Sequence, residues 1–306
     1  MISVIGEALV DLVITPEGSV EAALGGAPFN TARACGRLGA EVRFVGAVSV
    51  DRFGSMLASQ LADDHVDVES LVRVDAPTTI AAAELDEAGS ASYRFYIDGT
   101  SAPALPEIDA STVDGGVIFT GGLGLVLEPM ATAVEHLIAA RTPDQLVMLD
   151  INCRPKIIGD RNSYVQRVGR ILAHADIVKV SDEDLAYLSP GLDPVDAAAA
   201  LQARGPHAVL LTRGGDGVYV FTADGSALVE VEPVDVVDTI GAGDSFGAGF
   251  LSWWAASGRR RADATDVELL CQAVRAANLV AAVVVTRRGA EPPWRDELHA
   301  DWAPRR

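Results

Sequence analysis

Short apolar runs alternate with amphipathic stretches along most of the chain. The apolar runs are bounded by turn or charged residues, a pattern typical of buried parallel strands. The predicted strands are residues 2–13, 42–48, 117–120 and 146–149. The predicted helices are residues 30–38, 129–140, 163–175 and 194–203, with Asn30 as N-cap of the first and Gly39 as its C-terminal stop. This alternation predicts an α/β fold with a mainly parallel sheet.

The segment 68–96 breaks this alternation. Three strand-like runs, 71–74, 78–85 and 92–96, follow one another with turn signals at 75–77 and 86–89 and no helix between them. We expect an antiparallel insertion that acts as a lid over a cleft. The alternatives are an edge extension of the main sheet and a contact between subunits.

Composition and charge narrow the class of protein. The chain has 306 residues, of which 49% are hydrophobic and 22% are charged, as in globular proteins. Its net charge of -19 repels nucleic-acid phosphates and anionic lipid. Three cysteines without a CxxC spacing indicate a reducing compartment. The N-terminal residues do not resemble a signal peptide, and no run of about 18 apolar residues predicts a membrane span. We therefore expect a cytoplasmic protein that binds neither nucleic acid nor membrane.

The stretch DTIGAGDSFGAGF at residues 238–250 is the most informative. A helix is predicted to begin near Asp244 and to run to Ala256. Gly241 and Gly243 permit close backbone approach, and the unpaired N–H groups of a helix N-terminus favour an anion. A carboxylate beside such an anion hole suits phosphoryl transfer, because it can take the proton of an attacking hydroxyl. The alternative is that Asp244 only caps the helix.

Two motifs together resemble the ribokinase-like (PfkB) sugar kinases. DTIGAGDSFGAGF is similar to the C-terminal signature of that family, and GGAPFN at 25–30 with DRFG at 51–54 is similar to its second signature. The resemblance covers nearly the whole chain. It implies a single three-layer α/β/α domain, residues 1–306, with a mainly parallel central sheet and a β-sheet lid formed by about 8–20 and 68–100. It also implies a kinase that uses Mg·ATP and a small-molecule sugar, in many relatives with K⁺. The insertion at 68–96 would, besides covering the cleft, offer a surface for a homodimer.

The resemblance assigns the catalytic and sugar-binding roles. Asp244 would deprotonate the sugar hydroxyl, and the amides of Gly241, Ala242 and Gly243 would form the anion hole. The expected sugar contacts are Asp11, Gly25, Gly26, Asn30, Arg154 and Tyr96.

Three of these sugar contacts have alternatives. Asp11 ends an apolar strand and would otherwise be an exposed charge at a strand end. Asn30 is also a helix cap, which is compatible with sugar binding because its amide has donors and an acceptor. Arg154 lies in DINCRP at 150–155, which resembles the D-x-N-x-R segment of fructokinases and 2-keto-3-deoxygluconate kinases, and would otherwise form a surface salt bridge.

Nucleotide and metal roles are implied by further segments. KVSDED at 179–184 resembles the family's N-x-x-E region, and TRGGDG at 212–217 resembles the strand and turn that cradle the nucleotide. The expected ATP contacts are Lys179, Ser181, Thr212, Gly214, Gly217 and Asn278. The expected metal contacts are Asp184 and Glu183 for Mg²⁺, through water, and Asp238 and Thr239 for K⁺. Alternatively, Asn278 is a satisfied core amide and Asp238 only braces its loop.

The combined motifs predict a sugar kinase most like fructokinase. A 2-keto-3-deoxygluconate kinase should offer a cation to the acid, often an Arg after a lid tyrosine, but Ile97 and Asp98 follow Tyr96 here, which leaves Arg94. That kinase and ribokinase are the alternatives. A catalytically silent sugar-binding or regulatory protein on the same fold is the alternative of another class. A dinucleotide oxidoreductase is disfavoured, because G-x-G-x-x-G is missing after the first strand.

Overall fold

The computed structural model describes residues 1–86, 91–113, 115–299 and 302. The strands are β1 (Ile2–Ile5), β2 (Leu9–Ile14), β3 (Val20–Gly25), β4 (Val42–Val45), β5 (Ala47–Ser49), β6 (Val72–Val74), β7 (Ile80–Leu85), β8 (Ala91–Tyr96), β9 (Val117–Gly121), β10 (Leu146–Asp150), β11 (Ile177–Ser181), β12 (Ala208–Thr212), β13 (Val218–Thr222) and β14 (Gly225–Val229). The α-helices are α1 (Ala27–Arg37), α2 (Arg52–Asp63), α3 (Met130–Ala139), α4 (Arg161–Leu172), α5 (Asp182–Leu188), α6 (Pro194–Gln202), α7 (Ala242–Ala256) and α8 (Val267–Val285).

The central sheet is mainly parallel, as predicted. Its strand order is β14-β13-β12-β11-β10-β9-β1-β4, and only the pairs β12–β13 and β13–β14 are antiparallel among its described pairs. The parallel strands all end at one edge. Side chains that follow different strands therefore meet there, as ligand sites of open α/β sheets do.

Helices cover both faces of this sheet. Alternate residues of a strand point to opposite faces, so Phe119 joins a core with α1, α7 and α8, whereas Ile118 joins a core with α3, α4 and α6. Each face buries apolar side chains, which is why the central strands are short continuous apolar runs. The result is the three-layer α/β/α architecture that the resemblance implied.

A second sheet, which we call the lid sheet, has the order β3-β2-β7-β8. Three predictions about this region are wrong in detail. The apolar run 2–13 is split, because Gly6 (φ 149) turns the chain out of the main sheet against Pro28. The lid sheet also includes β3, and β2 pairs with β7 in parallel. The run 71–74 becomes β6, which pairs with β5 outside the lid sheet, and most of the predicted turn 86–89 lies outside the described residues.

The first helix begins earlier than predicted. Its N-cap is Gly26, whose φ of 112 suits glycine, and Pro28 occupies the first turn, where a missing N–H costs nothing. Asn30 is therefore not the N-cap, and its side chain is free for another role. Gly39, with φ 82, ends the helix as predicted.

Helix α8 has the length and mean hydropathy of a membrane span, and it is the one described helix that does. Its residues Leu270, Val274 and Ala277 are buried in the core beside α7. A core helix of a soluble protein passes the same test of length and composition, so this helix is explained by its packing.

Candidate active site

The two sequence motifs meet at the start of α7. Asp244 is the third residue of this helix and is 8% exposed. The Asn30 amide donates from Nδ2 to Asp244 Oδ2 over 2.9 Å, and the Thr31 hydroxyl donates to the Asp244 carbonyl over 3.3 Å. The helix N-cap is Gly241 rather than Asp244. The carboxylate is thus held by α1, as a reacting group would be, and does not cap its own helix.

The electrostatic setting of Asp244 suits a base. Burial raises its pKa from an ordinary 3.8 to about 6, and the hydrogen bond from Asn30 only partly opposes this shift. A base works best when its pKa lies near the working pH, because it is then ionised yet still basic. Asp244 meets that condition at neutral pH.

Unpaired backbone amides flank this carboxylate. Gly241, with φ 77, turns the chain into the helix, and the N–H groups of Gly241 and Gly243 donate to no partner in the described part of the chain. The Ala242 amide differs from prediction, since it donates to the Thr239 carbonyl over 3.2 Å. Two of the three expected anion-hole amides are therefore free, and the third closes the turn that orients them.

A buried lysine lies beside the same turn. Lys179 Nζ is 3.2 Å from the position that a Cβ on Gly243 would take, so an alanine there would crowd it. Asp150 Oδ2 accepts from Lys179 Nζ over 2.8 Å. Burial alone would lower the pKa of Lys179, but the charge and hydrogen bond of Asp150 hold it above its ordinary value. Lys179 therefore adds a permanent positive charge next to the free amides.

Asp11 lies in the lid sheet and faces the body. It is the third residue of β2, in register with Ala23 and Ala81, and not the strand-end residue expected from the sequence. Burial raises its pKa to about 6, and Arg154 partly opposes the shift. A Cβ on Gly25 would stand 2.2 Å from Asp11 Oδ2. The glycine therefore makes the room in which this carboxylate lies.

Gly25→Ala is expected to displace Asp11 and to raise the sugar KM roughly tenfold or more, the loss typical of a hydrogen bond to a charged group. The ATP KM should change little. Steady-state kinetics with each substrate varied in turn measures both. Gly116→Ala, which enters open space, is the matched control. Equal changes in the two KM values would contradict a sugar contact at Asp11.

Tyr96 does not reach this side of the lid sheet. Asp11 and Phe95 both pair with Ala81, so their side chains share one face of the lid sheet. Tyr96 follows Phe95 directly in β8, and its side chain therefore points to the opposite face. It is 58% exposed. Phe95, which sequence reasoning passed over, shares the face of Asp11. Arg94 lies on the outer face with Tyr96 and pairs there with Glu84.

Arg154 lies among the acidic groups of the site. It pairs with no described carboxylate, and its Nη1 donates to the carbonyl of Cys153 over 2.9 Å. Its charge nevertheless opposes part of the rise that burial causes in the pKa values of Glu7, Asp11 and Asp244. Asn152, two residues before Arg154, has φ 43, a strained conformation that is common at functional sites. The surface salt bridge expected as the alternative is not found in the described residues.

Three of the predicted nucleotide residues lie at the end of β12 and in the turn after it, and Asn278 lies in α8. Thr212 ends β12, and Gly214 and Gly217, with φ 53 and 95, form the turn after it. A cavity of about 1250 Å³ lies between residues 228–234 and α8. Asn278 lines it, and its buried Nδ2 has no partner in the part of the chain that the structure describes. Asn278 is therefore not a satisfied core amide.

Two of the expected metal contacts, Asp184 and Asp238, accept hydrogen bonds from the protein itself. Asp184 completes a capping box with Ser181, the N-cap of α5: its Oδ2 accepts from the Ser181 amide and hydroxyl, and its Oδ1 accepts from the Cys153 amide. Asp238 accepts from the amides of Ile240 and Gly289, over 3.0 and 2.8 Å, and so braces its loop. Glu183 is exposed. Among the described residues no group of three His, Cys, Asp or Glu side chains is placed to hold an ion.

Sequence reasoning missed a buried acid at the junction of the lid sheet and the body. Glu7 is 3% exposed, and burial raises its pKa to about 7. Its Oε1 accepts from the Ala27 amide at the start of α1. The available signal was an acidic residue directly after a glycine inside an otherwise apolar N-terminal run.

Comparisons with known proteins agree with this geometry. The family model of the pfkB family carbohydrate kinases matches residues 1–297. A fructokinase of Rhizobium leguminosarum bv. trifolii is 35% identical, over 82% of this chain and 79% of its own. The structure of a Xylella fastidiosa fructokinase with bound ATP superposes with TM-score 0.86 at 30% identity, over 94% of this chain and 93% of that one. The structure of an aminoimidazole riboside kinase of Salmonella enterica, with its riboside and an ATP analogue, superposes with TM-score 0.83 at 28% identity, over 99% of both chains. The chain therefore belongs to the pfkB family of carbohydrate kinases and is an ATP-dependent sugar kinase.

Proposed function

We propose that this kinase transfers the γ-phosphate of ATP to a hydroxyl of fructose, with Asp244 as the base. The observation that carries the proposal is the buried Asp244, held by Asn30 beside the free amides of Gly241 and Gly243. It combines a proton acceptor with donors for a phosphoryl group within one helix turn. That combination is what transfer to an alcohol requires.

The reaction follows from these groups. Asp244 accepts the proton of the attacking hydroxyl as its oxygen bonds to the γ-phosphorus, and the bond from that phosphorus to the β,γ-bridging oxygen breaks to release ADP. The amides of Gly241 and Gly243, with Lys179, stabilise the charge on the phosphoryl oxygens. Mg²⁺ bound with the nucleotide would neutralise further phosphate charge, and Glu183 and Asp184 are its proposed contacts through water. Asp244 then returns its proton to solvent.

A neutral sugar suits the charges around the site. Asp11 and Asp244 would repel a sugar acid, whereas their oxygens accept hydrogen bonds from sugar hydroxyls. Arg94, the cation that a ketodeoxygluconate kinase would need from the lid, instead pairs with Glu84 on the outer face. Fructokinases among the similar proteins support fructose in particular. The aminoimidazole riboside kinase neighbour makes a riboside the second candidate substrate.

A coupled ADP-release assay with Mg·ATP tests the substrate. The panel is fructose, ribose, 2-keto-3-deoxygluconate, tagatose 6-phosphate, adenosine, inosine and aminoimidazole riboside. We expect the highest kcat/KM for fructose. A higher kcat/KM for another acceptor would overturn the specificity argument and keep the kinase, whereas no turnover by folded, ATP-binding protein would favour the catalytically silent alternative.

A further inference from the structure

Glu7 lies where the lid sheet joins the body of the protein. The chain passes from body to lid between Ile5, which ends β1, and Leu9, which begins β2. It returns at Gly26, between the end of β3 and the start of α1. Glu7 lies in the segment that leads from the body to the lid sheet, and its side chain faces the segment that leads back at Gly26.

The two oxygens of Glu7 bond to two separate segments. Oε1 accepts from the Ala27 amide and Oε2 from the Gly124 amide, each over 3.3 Å. Gly124 belongs to a 3-10 helix, Gly122–Leu125, that follows the central strand β9. One carboxylate therefore links both segments that join the lid sheet to the body with the segment that follows β9. We call these two hydrogen bonds the Glu7 tie.

The backbone around Glu7 is shaped to admit its side chain. A Cβ on Gly122 (φ 58) would stand 2.8 Å from Glu7 Oε1, and a Cβ on Gly26 (φ 112) would stand 2.7 Å from the Glu7 carbonyl oxygen. Both glycines have backbone conformations that L side chains rarely adopt. The close fit leaves Glu7 little freedom to move while both amides are bound.

We propose that Glu7 is a positioning residue, which fixes the sugar-binding loop and the base of the lid by binding the amides of Ala27 and Gly124. The inference rests on the proposed sugar-kinase function. Ala27 begins the helix whose Asn30 holds Asp244, and β2 beyond Glu7 carries Asp11. Glu7 itself touches neither carboxylate. It acts through the backbone that sets the distance between them.

The chemistry of the tie requires a carboxylate. A glutamine at this position keeps one oxygen acceptor, but its NH2 group is a donor and would face the other amide. One buried N–H would then lose its partner, which costs more than a bond exchanged with water. Glu7→Gln therefore loosens one arm of the tie with almost no change in volume.

Glu7→Gln is expected to weaken fructose binding without ATP roughly tenfold, measured by calorimetry at pH 8, and to raise the sugar KM with little change in the ATP KM. Asp176→Asn is the matched control. Its buried carboxylate accepts from the Val147 amide and from Arg261, at the opposite end of the strands. It should lower stability without changing either KM. A sugar affinity within twofold of wild type in folded Glu7→Gln would overturn the proposal.

Hydrogen–deuterium exchange of the ligand-free protein separates this inference from the choice of substrate. Glu7→Gln should speed exchange at 26–30 and 122–126, and Asp176→Asn should not. Unchanged exchange in both segments would contradict the tie, whichever sugar is the substrate. If wild-type protein phosphorylates another sugar of the panel, the binding test uses that sugar; if it phosphorylates none, the proposed function fails and the exchange result still decides on the tie.

Discussion

Asp244→Asn is expected to lower kcat by roughly 10²–10⁴-fold, the range found when a general base is lost. The asparagine keeps the shape of the side chain and an oxygen for the Asn30 amide, but it does not accept the hydroxyl proton. Sugar and ATP affinities should stay near those of wild type. A rapid-mixing assay of turnover measures the loss in kcat. Equilibrium binding of each substrate measures the two affinities separately.

The stability of the same variant should move in the opposite direction. An acid whose pKa rises from 3.8 to about 6 on folding binds its proton more tightly in the folded state. Ionisation of Asp244 therefore lowers the free energy of unfolding as pH rises between these values, and above about 6 the loss is complete. A neutral asparagine avoids that loss, so the variant should melt at a higher temperature than wild type at pH 8.

Two outcomes would contradict the assignment of Asp244. Activity within a few-fold of wild type would remove it as the base. A melting temperature well below that of wild type would attribute the lost activity to damaged packing instead, and Asp176→Asn shows what such damage looks like at another buried carboxylate. The wild-type kcat/KM should also fall with pH below about 6, because the base is then protonated.

Local patterns in the sequence were sufficient for the parts of the fold that depend on near neighbours. The central strands are buried on both faces, so their apolar runs were visible. The glycines of 241–249 indicated the start of α7 two residues after its observed position at Ala242. The start of α1 was misplaced because Gly26 caps the helix with its backbone and Pro28 follows, which provides no side-chain cap to detect. The helix was predicted correctly in kind and three residues late.

The faces of the lid sheet could not be predicted from the sequence. Which side of β8 meets the site depends on its register with β7 and, through β7, with β2, and these pairings join residues far apart in the chain. A shift of one residue reverses every side chain. The resemblance implied Tyr96 as a sugar contact, whereas the observed register puts Phe95 on the face of Asp11.

The hydrogen bonding and burial of individual polar groups could not be predicted from the sequence either. Whether the Ala242 amide is free depends on the path of Thr239, and whether Glu7 is buried depends on α1 closing over it. Neither is a property of a motif. A motif identifies which residues are available, and the tertiary structure decides which of their donors and acceptors remain unpaired.

Gly241→Ala is expected to lower kcat by roughly 10²–10³-fold, as the loss of an oxyanion-hole donor does. Gly241 has φ 77, and an added Cβ would stand 2.5 Å from the Ala290 Cβ. The turn must shift to relieve that contact, which moves the amides of residues 241 and 243 away from the phosphoryl group. The left-handed backbone alone costs about 1–2 kcal/mol for a residue with a Cβ.

Gly258→Ala separates the effect of backbone strain from the effect of displaced amides at residues 241 and 243. Gly258 follows the opposite end of α7 with φ 65, and an added Cβ there meets nothing within 4 Å. It should lose stability by about the same 1–2 kcal/mol, measured by denaturant unfolding, and keep its kcat. If both variants lost activity equally, backbone strain in α7 would explain the effect and the anion hole would not. If Gly241→Ala kept its kcat, phosphoryl transfer would not depend on the amides of this turn.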